Sequence, residues 1–236
     1  MPTTLLKFGK GNGKLNQLIA TFSLPAGHTC PGALACLAKA DRRTGKITDG
    51  KAQAFRCFAA SMEWNSSVRN SRWHNFELLK GKTRRQMSEL ITESLPNTPI
   101  VRIHVSGDFF NEAYFLAWCD AAAAFPGVTF YAYTKSLSVW LANRSSVPAN
   151  LRLVASEGGR FDGLILSESL RSAKVLLDPK EAEVFGLAID HDDSHAYASD
   201  DSFALLIHGT QPKGSVSAKA LASLRVQGWK GYSKAA

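Results

Sequence analysis

The sequence predicts an α/β protein built on a mostly parallel sheet, and three observations carry that expectation. After Pro99 the chain alternates short β-branched or aromatic runs with helical segments, the pattern of a parallel sheet with right-handed crossovers. Glycine and polar residues gather just after the strand-like runs, as Gly107-Asp108, Thr134-Lys135, Ser156-Glu157-Gly158-Gly159 and His208-Gly209. The carboxyl end of a parallel sheet is where α/β folds bind ligands. Finally, 45% of the 236 residues are hydrophobic, enough for one sizeable core. The pattern fits one barrel-like or open α/β domain over 1–236. Within it, 15–95 is a cysteine-bearing loop plus a basic helical region, 96–215 a repeating β/α core, and 216–236 a C-terminal helix and tail.

The opening stretch Gly9-Lys10-Gly11-Asn12-Gly13-Lys14 has the look of a phosphate loop. However, Leu15 follows Lys14 where serine or threonine is needed, and Phe8 stands where the first glycine belongs. It reads as a flexible or hairpin turn. Leu18 to Leu24 is a β-rich run ended by Pro25, and from Asp41 to Lys51 the chain is polar and turn-like. The span 60–95 is basic and helical. Thr83-Arg84-Arg85-Gln86 fits a capping box, and Met87, Leu90 and Ile91 then share one helix face.

In the core, Ile100–Ser106 reads as a strand. Asn111 caps a helix whose apolar face holds Tyr114, Phe115, Trp118 and Cys119 and which ends at Pro126-Gly127. Strands follow at 128–133, 151–155, 174–177 and 203–207, with helices at 136–143 and about 216–226. No apolar run approaches the roughly 18–20 residues that cross a bilayer. The N-terminus lacks a basic region followed by a long apolar stretch, which makes the cytoplasm the expected compartment and a membrane an unexpected partner.

In a reducing compartment, four cysteines in a chain this long are not expected to be a disulfide framework. They read as buried thiols, reactive thiols or metal ligands. Cys30, Cys36 and Cys57 have the spacing C-x5-C-x20-C, and soft thiolates select zinc, copper(I) or iron–sulfur clusters. Pro31 and Gly32 suit a tight loop whose amides can hydrogen-bond cluster sulfurs. Zinc favours paired C-x2-4-C knuckles with four protein ligands, a pattern absent here, so a cluster with one unusual or open corner is the better match. Cys119 sits on an apolar helix face, where a core cysteine is the plain reading; His28 reads as a cap on the cysteine loop.

Asp108 can accept from hydroxyl or ammonium groups, or cap the helix that begins nearby. Lys135 offers a cation at a strand end, and Glu157 an acid beside a glycine nest suited to anions. Asp190-His191-Asp192-Asp193-Ser194-His195 has the residue types of a hard-metal cluster without calcium-loop spacing, and reads as a solvated acidic turn. The charge of +8 favours anionic partners. Its densest basic stretch interleaves Arg69, Arg72, Lys80, Lys82, Arg84 and Arg85 with Trp73 and His74, a mix that can grip phosphates and stack bases or form a solvated helix face.

Taken together, Cys30-Pro31-Gly32-Ala33, Phe55-Arg56-Cys57-Phe58-Ala59-Ala60-Ser61, Arg102-Ile103-His104-Val105-Ser106-Gly107-Asp108-Phe109, Tyr131-Ala132-Tyr133-Thr134-Lys135 and His208-Gly209-Thr210-Gln211 resemble the phage gene-product-88 family. The resemblance runs from about residue 15 to Tyr232 and implies a bacteriophage or prophage source. A fainter similarity is to radical S-adenosylmethionine proteins, which place three cysteines after the first strand of a partial (β/α)6 TIM barrel and leave one iron open. Their spacing is C-x3-C-x2-C, unlike the spacing here.

The leading expectation is therefore a phage-encoded iron–sulfur protein with a partial TIM-barrel core and a [4Fe-4S]-type cluster on Cys30, Cys36 and Cys57. Asp108, Lys135 and Glu157 would line its mouth. The fourth ligand would come from Cys119, a histidine, an acid, solvent or substrate. The substrate is left open; a second class is a radical-type or other redox enzyme acting on a nucleotide or nucleic acid, which needs an open iron and S-adenosylmethionine. The alternative is a zinc-stapled nucleic-acid-binding module without catalysis.

Overall fold

The computed structural model describes residues 4–11 and 15–229. Of the opening stretch, Gly9–Lys10 form β1, which pairs antiparallel with β2 (Ile19–Ser23), while Asn12, Gly13 and Lys14 lie outside the described residues, as does the tail after Trp229. The polar span after the cysteines is a hairpin, β3 (Ala38–Ala40) and β4 (Ile47–Asp49). Asp41 turns it by accepting from the amides of Arg43 and Thr44, the local bonding that makes aspartate a turn former. Three helices follow: α1 (Phe58–Met62), α2 (Ser66–Leu79) and α3 (Arg84–Ser94). The Thr83–Gln86 capping box is present at α3.

The core then runs β5 (Ile100–Ser106), α4 (Glu112–Ala124), β6 (Thr129–Thr134), α5 (Leu137–Ala142), β7 (Leu151–Ser156), α6 (Gly163–Ser167), β8 (Ser172–Leu176), α7 (Pro179–Phe185), β9 (Ala188–Ile189), α8 (Ser194–Ala198), β10 (Phe203–Leu206) and α9 (Val216–Val226). Asn111 caps α4 by accepting from the Tyr114 amide at 2.8 Å. The eight-stranded sheet has the order β1-β2-β5-β6-β7-β8-β10-β9, parallel throughout except for β1. β1 and β9 are its two ends, and no pairing among the described residues closes it into a barrel. No helix among them is long and apolar enough to cross a membrane.

Strand periodicity sorts the two faces. Phe130 and Ala132 of β6 join Val101, Ile103, Leu151 and Leu153 under Leu79 of α2, the Met87-Leu90-Ile91 face of α3 and the aromatic face of α4. Tyr131 points the other way, into a core with Ile19, Val154, Ala173, Phe203 and Ala196 of α8.

That second face explains the acidic segment, which is not a solvated turn. Asp190 and Asp193 are fully buried. Asp193 forms an ion pair with Arg102 of β5 and accepts from the hydroxyls of Tyr131 at 3.0 Å and Tyr133 at 3.1 Å. Residues 190–198 are thus a plug seated on the sheet by its charges; a buried carboxylate persists only when so compensated. Among the described residues, no group of three or more His, Cys, Asp or Glu side chains is arranged to chelate one metal ion.

The basic stretch is also put to structural use. Arg69 donates to the carbonyls of Glu63, Trp64, Arg42 and Arg43. Arg72 donates to Ala59 O and to Glu63 at 2.8 Å. Arg84 pairs with Asp120, Arg85 with Glu89 and Lys80 with Glu77. Glu63 is fully buried and also accepts from the Ala26 amide, which ties the exit of β2 to the end of α1. Arg72→Met should therefore destabilise the fold by about 3–5 kcal/mol, the cost of stranding a buried charge. Urea unfolding should show the double variant Arg72→Met/Glu63→Gln less damaged than Arg72→Met alone.

Candidate metal centre

The three cysteines come from two separate loops and converge on one cavity of about 150 Å³ above the carboxyl ends of β5, β6, β7, β8 and β10. Each is half-buried, and each is pinned to a different strand end. Cys30 lies between Thr29 and Gly32. Thr29 packs at Gly107, which has φ +88° and sits so close that a Cβ there would stand 2.6 Å from Leu24 and 2.7 Å from the Thr29 hydroxyl. Gly32 lies against the Lys135 carbonyl, which any side chain at 32 would overlap. Glycine is required at both places for close approach, and at 107 for its backbone angle as well.

Cys36 follows a short bridge between Ala33 and Gly159 and the bond from the Ala35 amide to Gly158 O at 2.8 Å, which dock this part of the loop on the end of β7. Cys57 follows Arg56, whose amide donates to Gln211 beyond β10 at 2.8 Å. Cys57 is the N-cap of α1, yet its side chain makes no capping bond, so the thiol is left for the cavity.

The electrostatics agree with this proximity. Burial pushes the Cys30 thiol well above its ordinary value, and Asp108, Cys57 and Cys36 add to that shift. Burial pushes Cys36 up to about 11, with Lys135 pulling the other way and Cys57 and Asp108 reinforcing the rise. The Gly27 amide donates to Cys30 Sγ at 3.3 Å, a bond that favours the thiolate.

The other expected residues divide. Asp108 lines the cavity but works as a latch, accepting from Thr134 Oγ1 at 2.6 Å, the Lys135 amide at 2.8 Å and the Phe109 amide at 2.7 Å. Burial nevertheless raises its pKa against the pull of these donors. Lys135 also lines the cavity, and its ammonium donates to Ser156 O, Ser156 Oγ and Glu157 O at 2.8, 2.7 and 2.5 Å. All three of its donors thus bind the end of β7. Glu157 does not line the cavity. It accepts from Ser172 Oγ and pairs with Lys174 at 2.7 Å, because the residue after Ser156 turns to the opposite side of the strand end.

Cys119 is buried in the helix–sheet core, not at the cavity. His28 bonds Ala40 O at 2.9 Å and packs on Trp73, the loop cap expected of it. His104 occupies a bulge where β5 pairs Arg102 with Thr21 and then Ser106 with Ser23. With φ +66° its ring turns toward α4, where Nε2 shares a hydrogen bond with the Tyr114 hydroxyl at 2.9 Å. Two contributors escaped the residue-by-residue reading: Arg102, whose burial a strand pattern does not announce, and Gln211, whose partner lies 155 positions away.

Burial depresses the His104 pKa from 6.5 to about 3, so the folded protein holds this imidazole neutral while the unfolded chain protonates it below about pH 6.5. The stability it contributes is complete above that pH and is lost as the pH falls toward 3, by about 1.4 kcal/mol per unit. Asparagine tolerates the left-handed backbone. Urea midpoints at pH 7 and pH 5 should fall less between the two values for His104→Asn than for the parent protein.

A family model described as gene product 88 matches residues 3–227. The gene 88 protein of Mycobacterium phage D29 is 26% identical over 167 residues, covering 65% of this chain and 63% of that protein. The gene 88 protein of Mycobacterium phage L5 is 28% identical over 146 residues, covering 56% of this chain and 54% of its own. The chain thus spans somewhat over half the length of these curated relatives. No solved structure matches it. With thiol loop, strand-end motifs and Gln211 turn all inside the matched residues, the chain belongs to the gene product 88 family of phage proteins.

Proposed function

We propose that this protein is an iron–sulfur protein whose cluster is held by Cys30, Cys36 and Cys57 over the carboxyl end of a partial (β/α)6 barrel. The observation that carries the reading is the convergence of three thiols from two loops on one cavity at the strand ends. Six parallel strands, β2, β5, β6, β7, β8 and β10, follow one another in spatial order, which supports the half-barrel description even though the sheet stays open.

The donor set suits a cluster better than a single ion. Structural zinc is closed by four protein ligands, usually in paired C-x2-4-C knuckles, whereas three cysteines spaced C-x5-C-x20-C line this cavity. No group of three or more His, Cys, Asp or Glu among the described residues, these cysteines included, is arranged to hold a single ion. A cluster gives each thiolate its own iron and tolerates wider spacing. The Gly27 amide would stabilise the Cys30 sulfur, and the cations of Arg56, Arg102 and Lys135 at the cavity wall would offset the negative charge of three thiolates. When bound, the cluster supplies one-electron redox chemistry. With Cys119 in the core, a four-iron cluster would leave one iron to a non-cysteine ligand. That position is where redox or radical-type chemistry on a substrate, with S-adenosylmethionine as the first ligand to titrate, would take place.

Anaerobic purification followed by iron, sulfide and zinc determination tests the reading. The expected result is brown protein with near-equal iron and sulfide, and a several-fold loss of both in Cys36→Ser with an unchanged melting transition of the metal-free chain. Colourless protein carrying one zinc per chain, or iron content indifferent to Cys36→Ser, would contradict it.

A further inference from the structure

The turn after β10, which places His208 at the cavity wall, also reaches the segment that carries Cys57. Gln211 is buried and divides its carboxamide across the main chain of Arg56. Its Oε1 accepts from the Arg56 amide at 2.8 Å, and its Nε2 donates to Arg56 O at 3.0 Å and to His208 O at 2.8 Å. A single side chain thus satisfies both the donor and the acceptor of the residue before Cys57 and fixes its own turn at the same time. Gly209 abuts Phe58, where a Cβ would stand 2.7 Å from the Phe58 Cβ. Asp49 holds the Arg56 side chain through Nε at 2.8 Å and Nη2 at 2.5 Å.

Cys30 and Cys36 are placed by main-chain and glycine contacts with β5, β6 and β7. The segment before Cys57 is tied to the same loop as far as Phe55, through the Ala54 and Phe55 amides on Ala35 O at 2.8 and 3.2 Å. At Arg56, Gln211 is the side chain that bonds both the amide and the carbonyl. We propose that Gln211 is a positioning residue for Cys57, holding the main chain so that this thiol closes the cavity opposite Cys30 and Cys36. A glutamine suits the task because only a carboxamide offers an acceptor and two donors in one plane.

The inference deepens the iron–sulfur reading, but its first test does not depend on it. Gln211→Ala, and Gln211→Met as a variant that keeps volume, would be compared with Ser61→Ala, which removes the bonds from Ser61 Oγ to Thr210 O at 3.0 Å and to Cys57 O at 3.4 Å while the Ser61 amide still donates to Cys57 O. Metal-free protein would be treated with iodoacetamide and each cysteine followed by peptide mass. The expected result is alkylation of Cys57 faster by on the order of tenfold in the Gln211 variants, as when ordinary hydrogen bonds are lost at one point, with Cys30 and Cys36 unchanged and Ser61→Ala close to the parent. In anaerobic holoprotein the same variants should lose iron and shift the midpoint potential of what remains. Unchanged Cys57 reactivity, equal acceleration of all three thiols, or the same effect from Ser61→Ala would overturn the proposal. A parent protein without iron whose Cys57 alone responds would overturn the cluster reading and leave the positioning role standing.

Discussion

The seat of the cysteine loop on the ends of β5 and β6 is the constraint from which the rest of the site follows. Asp108 draws Thr134 Oγ1 and the Lys135 amide to one carboxylate, which joins the two strand ends on which the loop sits. The Lys135 carbonyl then faces Gly32 with no room for a side chain between. Burying a carboxylate is unfavourable unless its lone pairs are met, and the raised pKa of Asp108 records the residual cost of that burial. What is gained is rigidity: Cys30 and Cys36 inherit their positions from a sheet rather than from a free loop. Sites supported this way hold ligand geometry better than sites borne by loops alone.

The same logic governs the other buried charges. Arg102 and Asp193 meet on the sheet face away from α4, with two tyrosine hydroxyls completing the carboxylate. Glu63 and Arg72 meet under α1. The first joins segments distant in sequence and fixes the 190–198 plug; the second is local, and through the Ala26 amide on Glu63 it ties the approach to Cys30 to the helix that follows Cys57. Buried pairs of this kind add little net stability, but losing one partner is severe, so they act mainly to specify which segments meet. Arg102 also lines the cavity, and Asp193 of the plug meets its charge.

Much of this was legible in the sequence, and the rest was hidden for identifiable reasons. The strand alternation after Pro99, the caps at Thr83 and Asn111 and the apolar faces of α3 and α4 are local patterns, and local patterns survive folding when burial agrees with them. The strand-end clusters were readable as a group because a parallel sheet gathers its carboxyl ends. Glu157 faces Ser172 and Lys174 instead of the cavity because a one-residue step past the strand reverses a side chain. The Asp190–His195 segment read as solvated because nothing within it shows that Arg102, some ninety positions earlier, neutralises it. Arg69 and Arg72 looked like a cationic surface for the same reason: their carbonyl and carboxylate partners are non-local. The turn of His104 toward α4 depends on a bulge, which strand periodicity does not foretell.

The proposal that three thiols from two loops hold one multinuclear cluster stands or falls on the metal itself. X-ray absorption at the iron edge of anaerobically prepared, frozen protein tests it most directly, because it reads both the ligand atoms and the neighbouring metals. The account predicts a first shell dominated by sulfur together with a short iron–iron vector. A nitrogen- and oxygen-rich shell with no metal neighbour, or no iron edge at all in well-folded protein, would contradict it.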